Sequence, residues 1–196
     1  MEFSKDQNFS IHLLHQFIKG DESAFTAIYH LFIDDLYAYG SNFSIANEIL
    51  EDLIQDTFCH LYFHKEQYAS VQNLKSYLFR ILKNHILDYF RKPSSNKLDE
   101  NDTSFYFNIS VEDEYIQQEE IWEQENRIKK LLDNLSPQQR EIIYLRYSEK
   151  MPYEEIAIVM ECSCEVVRKA VSRSILKMKK VSEAAVSFLI LLFPIL

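Results

Sequence analysis

Basic residues concentrate in two stretches of a chain that is acidic as a whole. Residues 164–180 hold six Lys or Arg against one Glu, a net charge of +5, and residues 73–92 hold five against one Asp, a net charge of +4, whereas the whole protein carries −9. A cationic stretch on an acidic protein focuses a positive potential on one patch, and such a patch is typical of binding to nucleic-acid phosphates. The alternative at this point is an ordinary solvated helix face.

The first of these stretches has the pattern of a helix with a buried stripe. Val167, Val171, Ile175 and Met178 recur at intervals of four, four and three residues. The outward positions are Glu165, Arg168, Lys169, Ser172 and Arg173. A shorter helix opened by Pro152 precedes it, and Glu161-Cys162-Ser163 joins the two. Two helices joined in this way predict a helix-turn-helix whose second helix enters the major groove of DNA; a plain helical hairpin remains the alternative.

The second basic stretch interleaves cations with aromatic rings. Its aromatic residues are Tyr77, Phe79, His85, Tyr89 and Phe90. Unpaired bases stack on aromatic faces beside cations, at about 1–3 kcal/mol per base. Most of these rings must nevertheless be core, and we expect Tyr89 and Phe90 to be buried with Leu74, Leu78, Ile81 and Leu82. Spacing alone does not decide which rings face outward.

An acidic and polar strip precedes it, on a helix expected over residues 45–64. The strip consists of Glu48, Glu51, Asp52, Gln55 and Asp56, and the apolar side is predicted from Ile49, Leu53, Phe58 and Leu61. A solvated face and a docking strip for a basic partner surface are both consistent with this pattern.

The elements that position these residues are predicted to be helices throughout. Only two glycines, four prolines and no alternating apolar-polar run predict an all-α fold. Further helices are expected over residues 9–19, after Asp21 or Ser23, over 71–92, and after Ser136, where Pro137 and Gln139 make a capping box. The second of them should bury Phe25, Ile28, Leu31, Phe32, Leu36 and Tyr39. With 47% hydrophobic and 26% charged residues, the chain should form two small helical domains.

An acidic stretch separates the predicted domains. Residues 99–126 contain ten Asp or Glu and no Lys or Arg. We predict a bundle at residues 1–92, an acidic linker at 93–124 whose first part is flexible, a helix-turn-helix domain at 125–182 and a hydrophobic tail at 183–196. The tail is too short for a bilayer crossing, which needs about 20 residues, so we expect it to pack on the chain itself or on a partner.

The sequence gives little support to an enzyme or a metal protein. His60 and His64 are four residues apart but lack the acid of the zinc-protease motif, and Cys162 and Cys164 form a lone C-x-C. We expect no catalysis, cofactor, metal or small-molecule substrate. Three cysteines and no basic-apolar signal at the N-terminus favour a cytoplasmic protein without disulfides.

The chain resembles the extracytoplasmic-function sigma factors, the smallest members of the sigma-70 family of bacterial RNA polymerase specificity subunits. EDLIQDTF at 51–58 is similar to region 2.2 and NLKSYLFRILKNHILDYFRK at 73–92 to regions 2.3 and 2.4. LSPQQREIIYLRY, YEEIAIVM and SCEVVRKAVSRSI are together similar to region 4. Three motifs in order, at the family's distances, are far more specific than any one of them.

The resemblance implies three binding surfaces. Asp52, Gln55 and Asp56 would dock on the clamp coiled coil of the largest subunit of core RNA polymerase. The residues that would read and melt the −10 promoter element are Arg80, Lys83, Asn84, Asp88 and Arg91. Those that would read the −35 element in the major groove are Arg168, Lys169, Ser172 and Arg173. The acidic linker would thread toward the polymerase channels, and an anti-sigma factor is a further expected partner.

Some residues depart from the family's pattern. Pro152 stands where Ser or Thr usually opens the second helix of region 4, and Glu161 stands where the turn usually has Gly. Ala170 replaces a basic residue, and Lys169 replaces a small one. These changes leave the fold in place and bear on which −35 sequence is preferred. The alternative function is a helix-turn-helix regulator that binds DNA without polymerase, which would need neither the acidic strip nor the basic-aromatic helix.

Overall fold

A computed structural model describes residues 3–91, 105–107 and 129–181, with side chains from residue 8 onward and up to residue 180. No β-strand occurs in these ranges, and the predicted all-α fold is confirmed. The chain divides into two compact units, one comprising the described residues 3–91 with 158–161 and the other comprising 105–107, 129–157 and 162–181.

The first unit is a four-helix bundle. Its helices are α1 (Phe3–Ile18), α2 (Glu22–Gly40), α3 (Asn47–Phe63) and α4 (Leu74–Arg91), with a 3-10 turn at Lys65–Tyr68. The chain leaves α1 through Gly20, whose φ of 101° suits glycine, and Asp21 then caps α2 by accepting a hydrogen bond from the Ser23 amide at 2.9 Å. Each helix contributes one apolar stripe to a shared core.

The core of the bundle is filled by aliphatic side chains around a few rings. Tyr39 of α2 and Phe79 of α4 are fully buried, with ring centroids 4.8 Å apart. At the end of α2, Gly40 lies against Leu50, so that a Cβ at this position would displace the Leu50 side chain. The largest fully buried residues of this unit are Phe17, Leu14, Ile28, Leu36, Leu50, Ile54, Leu61, Leu74 and Leu78.

Helical phase corrects the predicted core of α3. Leu50 and Ile54 are buried together with Thr57, Phe58 and Leu61, whereas Ile49 and Leu53 are only half-buried. Leu53 lies five residues before Phe58, which places it about 140° around the helix axis from that ring. The strip that was predicted to be exposed is unaffected, because it lies on the other side.

Five other burial predictions were wrong, among them Phe25 of α2, which is half-buried rather than core. Leu31 is 37% exposed, since it lies about 100° around α2 from Phe32, which takes the core side. Tyr89 and Phe90, near the end of α4, are half-buried rather than core. In the helix Cys164–Val181 the buried position is Ser174 in place of the half-buried Ile175, and the Ser174 hydroxyl donates to the Ala170 carbonyl at 2.8 Å. That hydrogen bond satisfies the hydroxyl and lets a small polar side chain take a core position.

Three further helices follow, and all of their residues except 158 and 159 belong to the second unit. They are α5 (Pro137–Tyr147), α6 (Tyr153–Val159) and α7 (Cys164–Val181), and residues 129–133 before them are also helical. The predicted capping box at Ser136 is confirmed, with Gln139 donating its amide to the Ser136 hydroxyl at 3.3 Å. The core of this unit includes Leu132, Leu135, Ile142, Ile143, Leu145, Met151, Ile156, Val167, Val171 and Met178.

Three residues from the predicted linker belong to this second unit. The rings of Phe105 and Phe107 lie 5.5 and 5.2 Å from that of Tyr144 in α5, and the Arg140 guanidinium lies 5.7 Å from the Tyr106 ring centroid. Phe105 is buried. These aromatic contacts tie this part of the predicted linker to α5. The rest of the acidic stretch, and the tail, lie outside the described residues.

Candidate nucleic-acid interface

The turn between α6 and α7 has the hydrogen bonds of a helix C-terminal cap. The Glu161 amide donates to the Ile158 carbonyl at 3.3 Å and the Cys162 amide to the Ala157 carbonyl at 3.1 Å, the paired pattern of a Schellman motif. Glu161 occupies the left-handed position of that motif, with φ of 49°. Ser163 then caps α7, its hydroxyl accepting from the Val166 amide at 3.4 Å. The turn thus sets the direction in which α7 leaves α6.

The predicted DNA-reading residues of α7 lie together on its outer face. Arg168, Lys169, Ser172 and Arg173 are all exposed, while Val167, Val171 and Ser174 face the core. The buried stripe therefore fixes the phase of the helix and leaves three cations and a hydroxyl on one side. Farther along α7, Lys177 donates to Gln139 Oε1 of α5 at 2.9 Å, so this cation braces the unit rather than extending the free face.

Arg168 has partners on α6 that the sequence did not identify. Its Nη2 donates to Glu154 Oε1 at 3.0 Å, and its guanidinium lies 5.7 Å from the Tyr153 ring centroid. Cys164, the first residue of α7, directs its thiol to the same Glu154 oxygen at 3.3 Å. The Glu154 backbone amide, together with that thiol and Arg168, lowers the pKa of the Glu154 carboxyl. The sequence carried one signal for this pairing: Glu154 is an acid in the first turn of α6, and that turn lies close to the start of α7.

The α4 residues predicted for the −10 element share one side of that helix. Arg80, Lys83 and Asn84 are half-buried, and Asp88 and Arg91 are exposed and form an ion pair at 3.0 Å. The Arg80 guanidinium lies 4.7 Å from the Tyr77 ring centroid, which places a cation and an aromatic face together at the surface. Behind them, burial raises the pKa of Tyr68, with the Arg80 charge opposing the shift.

Two rings of the basic-aromatic stretch serve the fold. Phe79 is fully buried. His85 Nδ1 lies 3.3 Å from the Thr57 hydroxyl, which itself donates to the Leu53 carbonyl at 2.8 Å. His85 thereby joins α4 to α3, and of the five rings only Tyr77, Tyr89 and Phe90 remain as half-buried candidates for base stacking.

The acidic strip of α3 faces solvent along its length. Glu48, Glu51, Asp52, Gln55 and Asp56 are all exposed. The buried stripe of Leu50, Ile54 and Phe58 occupies the opposite side of the same helix. Because the helix is held by that stripe, the strip presents its carboxylates in a fixed row. This geometry suits contact with a basic partner surface.

Two protein-family models match the chain, one in each half. Residues 28–95 match the model of sigma-70 region 2, and residues 125–178 match that of sigma-70 region 4. Together the two models cover more than half of the chain. The chain belongs to the sigma-70 family.

Two curated sigma factors are similar to this one over most of their length. It is 27% identical to the ECF RNA polymerase sigma factor SigM of Bacillus subtilis over 137 residues, 69% of this chain and 81% of that one. It is 24% identical to the ECF RNA polymerase sigma-E factor of Haemophilus influenzae over 169 residues, 83% of this chain and 89% of that one. The predicted extracytoplasmic-function type is confirmed.

Solved structures agree on the fold. The structure of CnrH in complex with the cytosolic domain of CnrY matches with a TM-score of 0.61 at 20% identity, covering 90% of this sigma factor and 98% of that chain. The sigma factor RpoE of Bartonella quintana, solved with the anti-sigma factor NepR, matches with a TM-score of 0.57 at 26% identity, covering 80% and 94%. Neither comparison bears on the roles of individual residues.

The histidines and cysteines of this sigma factor have structural contacts. The His60 and His64 rings stack with centroids 4.4 Å apart, and burial, with smaller contributions from His64 and His85, lowers the pKa of His60. His60 is half-buried. Within residues 3–91, 105–107 and 129–181 no group of three or more His, Cys, Asp or Glu could hold a metal, and no helix is long and apolar enough to cross a membrane. Cys59, Cys162 and Cys164, all within the described residues, form no disulfide.

Proposed function

We propose that this sigma factor directs core RNA polymerase to its promoters through three separate surfaces. The outer face of α7 reads the −35 element, the outer side of α4 meets the −10 element, and the α3 strip binds polymerase. The observation that carries the proposal is the cationic face of α7, presented by a helix-turn-helix in a protein of net charge −9.

Reading of the −35 element is assigned to Arg168, Lys169, Ser172 and Arg173. Base edges in the major groove are read best by side chains from the N-terminal part of a recognition helix, and arginine pairs with guanine through two hydrogen bonds. Arg168 lies four residues and Arg173 nine residues after Cys164, where the helix begins. Both are exposed, so both can reach the groove.

Contact with the −10 element is assigned to Arg80, Lys83, Asn84, Asp88 and Arg91. The pairing of Arg80 with the Tyr77 ring supports this assignment, because a base leaving the duplex needs an aromatic or cationic plane to stack on and a nearby cation for its phosphate. Asp88 holds Arg91 by an ion pair, which restrains the orientation of that arginine on the same side of α4.

Polymerase docking is assigned to Asp52, Gln55 and Asp56. The exposed row of acids on α3 supports it, since charge complementarity with a basic partner surface speeds and orients assembly. An anti-sigma factor is a further proposed partner, because RpoE of Bartonella quintana was solved with one. We also propose that the domain limits are 1–92, 93–124, 125–182 and 183–196.

Catalysis is not part of the proposal. The sigma factors that this chain resembles regulate transcription initiation, and the bond-making step belongs to core polymerase. A cytoplasmic location follows for a protein whose partners are core polymerase and promoter DNA. A regulator acting without polymerase is disfavoured, since it would have no use for the exposed α3 strip.

The proposal is tested by transcription and footprinting with purified core polymerase. Start sites from a promoter pool first define the preferred −35 sequence. Arg168→Ala combined with Arg173→Ala should then weaken binding to that sequence by about 1–3 kcal/mol, because base contacts are lost. The matched control, Lys179→Ala with Lys180→Ala, removes the same charge from the end of α7 and should weaken binding to all sequences alike. Equal behaviour of the two double variants on preferred and scrambled −35 sequences would refute the assignment.

A further inference from the structure

The Arg168 side chain has two contacts within the protein before any DNA is present. Glu154 Oε1 accepts from its Nη2 at 3.0 Å, and the Tyr153 ring lies 5.7 Å from its guanidinium carbon. On the other side of this network, the Arg146 guanidinium lies 4.7 Å from the same Tyr153 ring, and its Nη1 donates to the Met151 carbonyl at 2.9 Å. The contacts therefore run from the end of α5, through the start of α6, to the first turns of α7.

Glu154 is itself anchored. The Cys164 thiol points at the same carboxylate oxygen that Arg168 uses, at 3.3 Å. Hydrogen bonds from the Glu154 backbone amide and the Cys164 thiol favour the charged form and lower the pKa of this carboxyl, so it is ionised at neutral pH. An ionised acid fixed at the start of α6 can orient a cation on α7 without moving.

Orientation matters for an arginine more than for a lysine. The guanidinium is a planar fork of five N–H donors, and pairing with a base requires the plane to lie along the base edge. When one N–H group of the Arg168 guanidinium donates to Glu154, its remaining N–H groups are available to DNA. Fixing the plane beforehand also reduces the side-chain freedom that is lost on binding.

We infer that Glu154 is a positioning residue that sets the plane of Arg168 and thereby sharpens the base preference at one position of the −35 element. The inference deepens the proposed function and rests on it. This pairing should cost little DNA affinity, because the Arg168 and Glu154 side chains are 59% and 66% exposed, and Arg168 can contact DNA in this orientation while keeping its hydrogen bond to Glu154.

A neighbouring acid supplies a matched control. Glu165 pairs with Lys169 one turn along α7, at 2.5 Å, and it is also exposed. Glu154→Gln and Glu165→Gln each remove one negative charge beside the DNA-facing cations. Both should therefore raise affinity for scrambled DNA to a similar extent, through the general attraction of phosphate. Only the first weakens the hold on Arg168, because a neutral amide oxygen accepts its hydrogen bond less strongly than a carboxylate does.

The experiment measures binding of full-length sigma factor with core polymerase to promoters carrying each base at each −35 position. Glu154→Gln should lower the preference at the position lost in Arg168→Ala by about 3–10-fold, within the usual range for coupled contacts. Glu165→Gln should leave that preference unchanged. In the Arg168→Ala background, Glu154→Gln should have no further effect. Equal preferences for Glu154→Gln and Glu165→Gln, or a sharper preference in Glu154→Gln, would overturn the inference.

Two further measurements keep the result interpretable. Cys164→Ala removes the thiol hydrogen bond without changing charge and should reduce the same preference to a smaller extent, which tests the network even if Glu154→Gln folds poorly. If Arg168→Ala itself changes no −35 preference, the proposed reading by α7 fails. If Arg168→Ala changes the −35 base preference but neither Glu154→Gln nor Cys164→Ala does, the positioning role of Glu154 is refuted while reading by α7 stands.

Discussion

Replacing Glu161 by glycine should stabilise the second unit. Glu161 has φ of 49° at the end of α6, a conformation that costs a residue with a Cβ roughly 1–2 kcal/mol. Glycine adopts it freely but loses more backbone entropy on folding, which offsets roughly 0.5–1 kcal/mol. The expected net gain for Glu161→Gly is about 0.5–1 kcal/mol in the free energy of unfolding.

Native-state hydrogen exchange of the full chain measures this gain where it should occur. Amides of the buried stripe of α7, such as Val171, should exchange about 2–5-fold more slowly in Glu161→Gly if they exchange by unfolding of this unit. The control is Glu161→Ala, which removes the same carboxylate but keeps a Cβ at the same φ, and it should give no such protection. If the alanine variant were protected as strongly as the glycine variant, relief of backbone strain could not be the cause.

Three other perturbations follow from the described contacts. Asp52→Arg should prevent co-purification with core polymerase and leave the melting temperature unchanged, whereas Asp34→Arg, at an exposed acid of α2, should assemble normally; assembly of both would remove the docking strip. Because the pKa of His60 is lowered in the folded protein, this histidine binds a proton at higher pH in the unfolded chain than in the folded one. The free energy of unfolding should therefore fall as pH drops below about 6.5. His60→Gln should flatten that dependence and His30→Gln should not, as urea titrations at several pH values would show. Ser136→Ala should cost about 1 kcal/mol through loss of the α5 capping box, and an unchanged urea midpoint would contradict this.

Local signals in the sequence predicted the elements of the second unit well. The Ser136 capping box, the opening of α6 after Pro152 and the cap at Ser163 each depend on a few neighbouring residues, and all three are present. The outer face of α7 was also predicted, because Val167 and Val171 fix its phase. Ile175 was assigned to the core by its four-residue spacing from Val171, but Ser174 lies closer to the middle of the stripe formed by Val167, Val171 and Met178, and its hydroxyl is satisfied by the Ala170 carbonyl.

Contacts between helices could not be predicted from the sequence patterns. The pairing of Glu154 with Arg168 joins residues fourteen positions apart, and no periodicity relates them. The contacts of Phe105 and Phe107 with Tyr144 depend likewise on tertiary packing. The acidic composition of the surrounding stretch predicted a flexible linker. Composition does not show that three aromatic residues within the stretch, the two phenylalanines and Tyr106, pack against another element. In α3 the error was one of phase, and it left the exposed strip correctly placed.

The acids around the α7 cations explain how an acidic protein could use a cationic helix selectively. Unpaired cations would increase affinity for any DNA, because each phosphate contact releases a counterion regardless of sequence. Glu154 and Glu165 each pair with one of the two cations proposed to read DNA, Arg168 and Lys169, and such pairing weakens that general attraction. A base edge that replaces or shares the carboxylate's contact with one of these cations makes up for the interaction that the cation loses. A phosphate alone has to compete for the cation with the carboxylate that is already paired with it. In this arrangement the net charge of the protein and the preference of its recognition helix act in the same direction, toward fewer and better-matched sites.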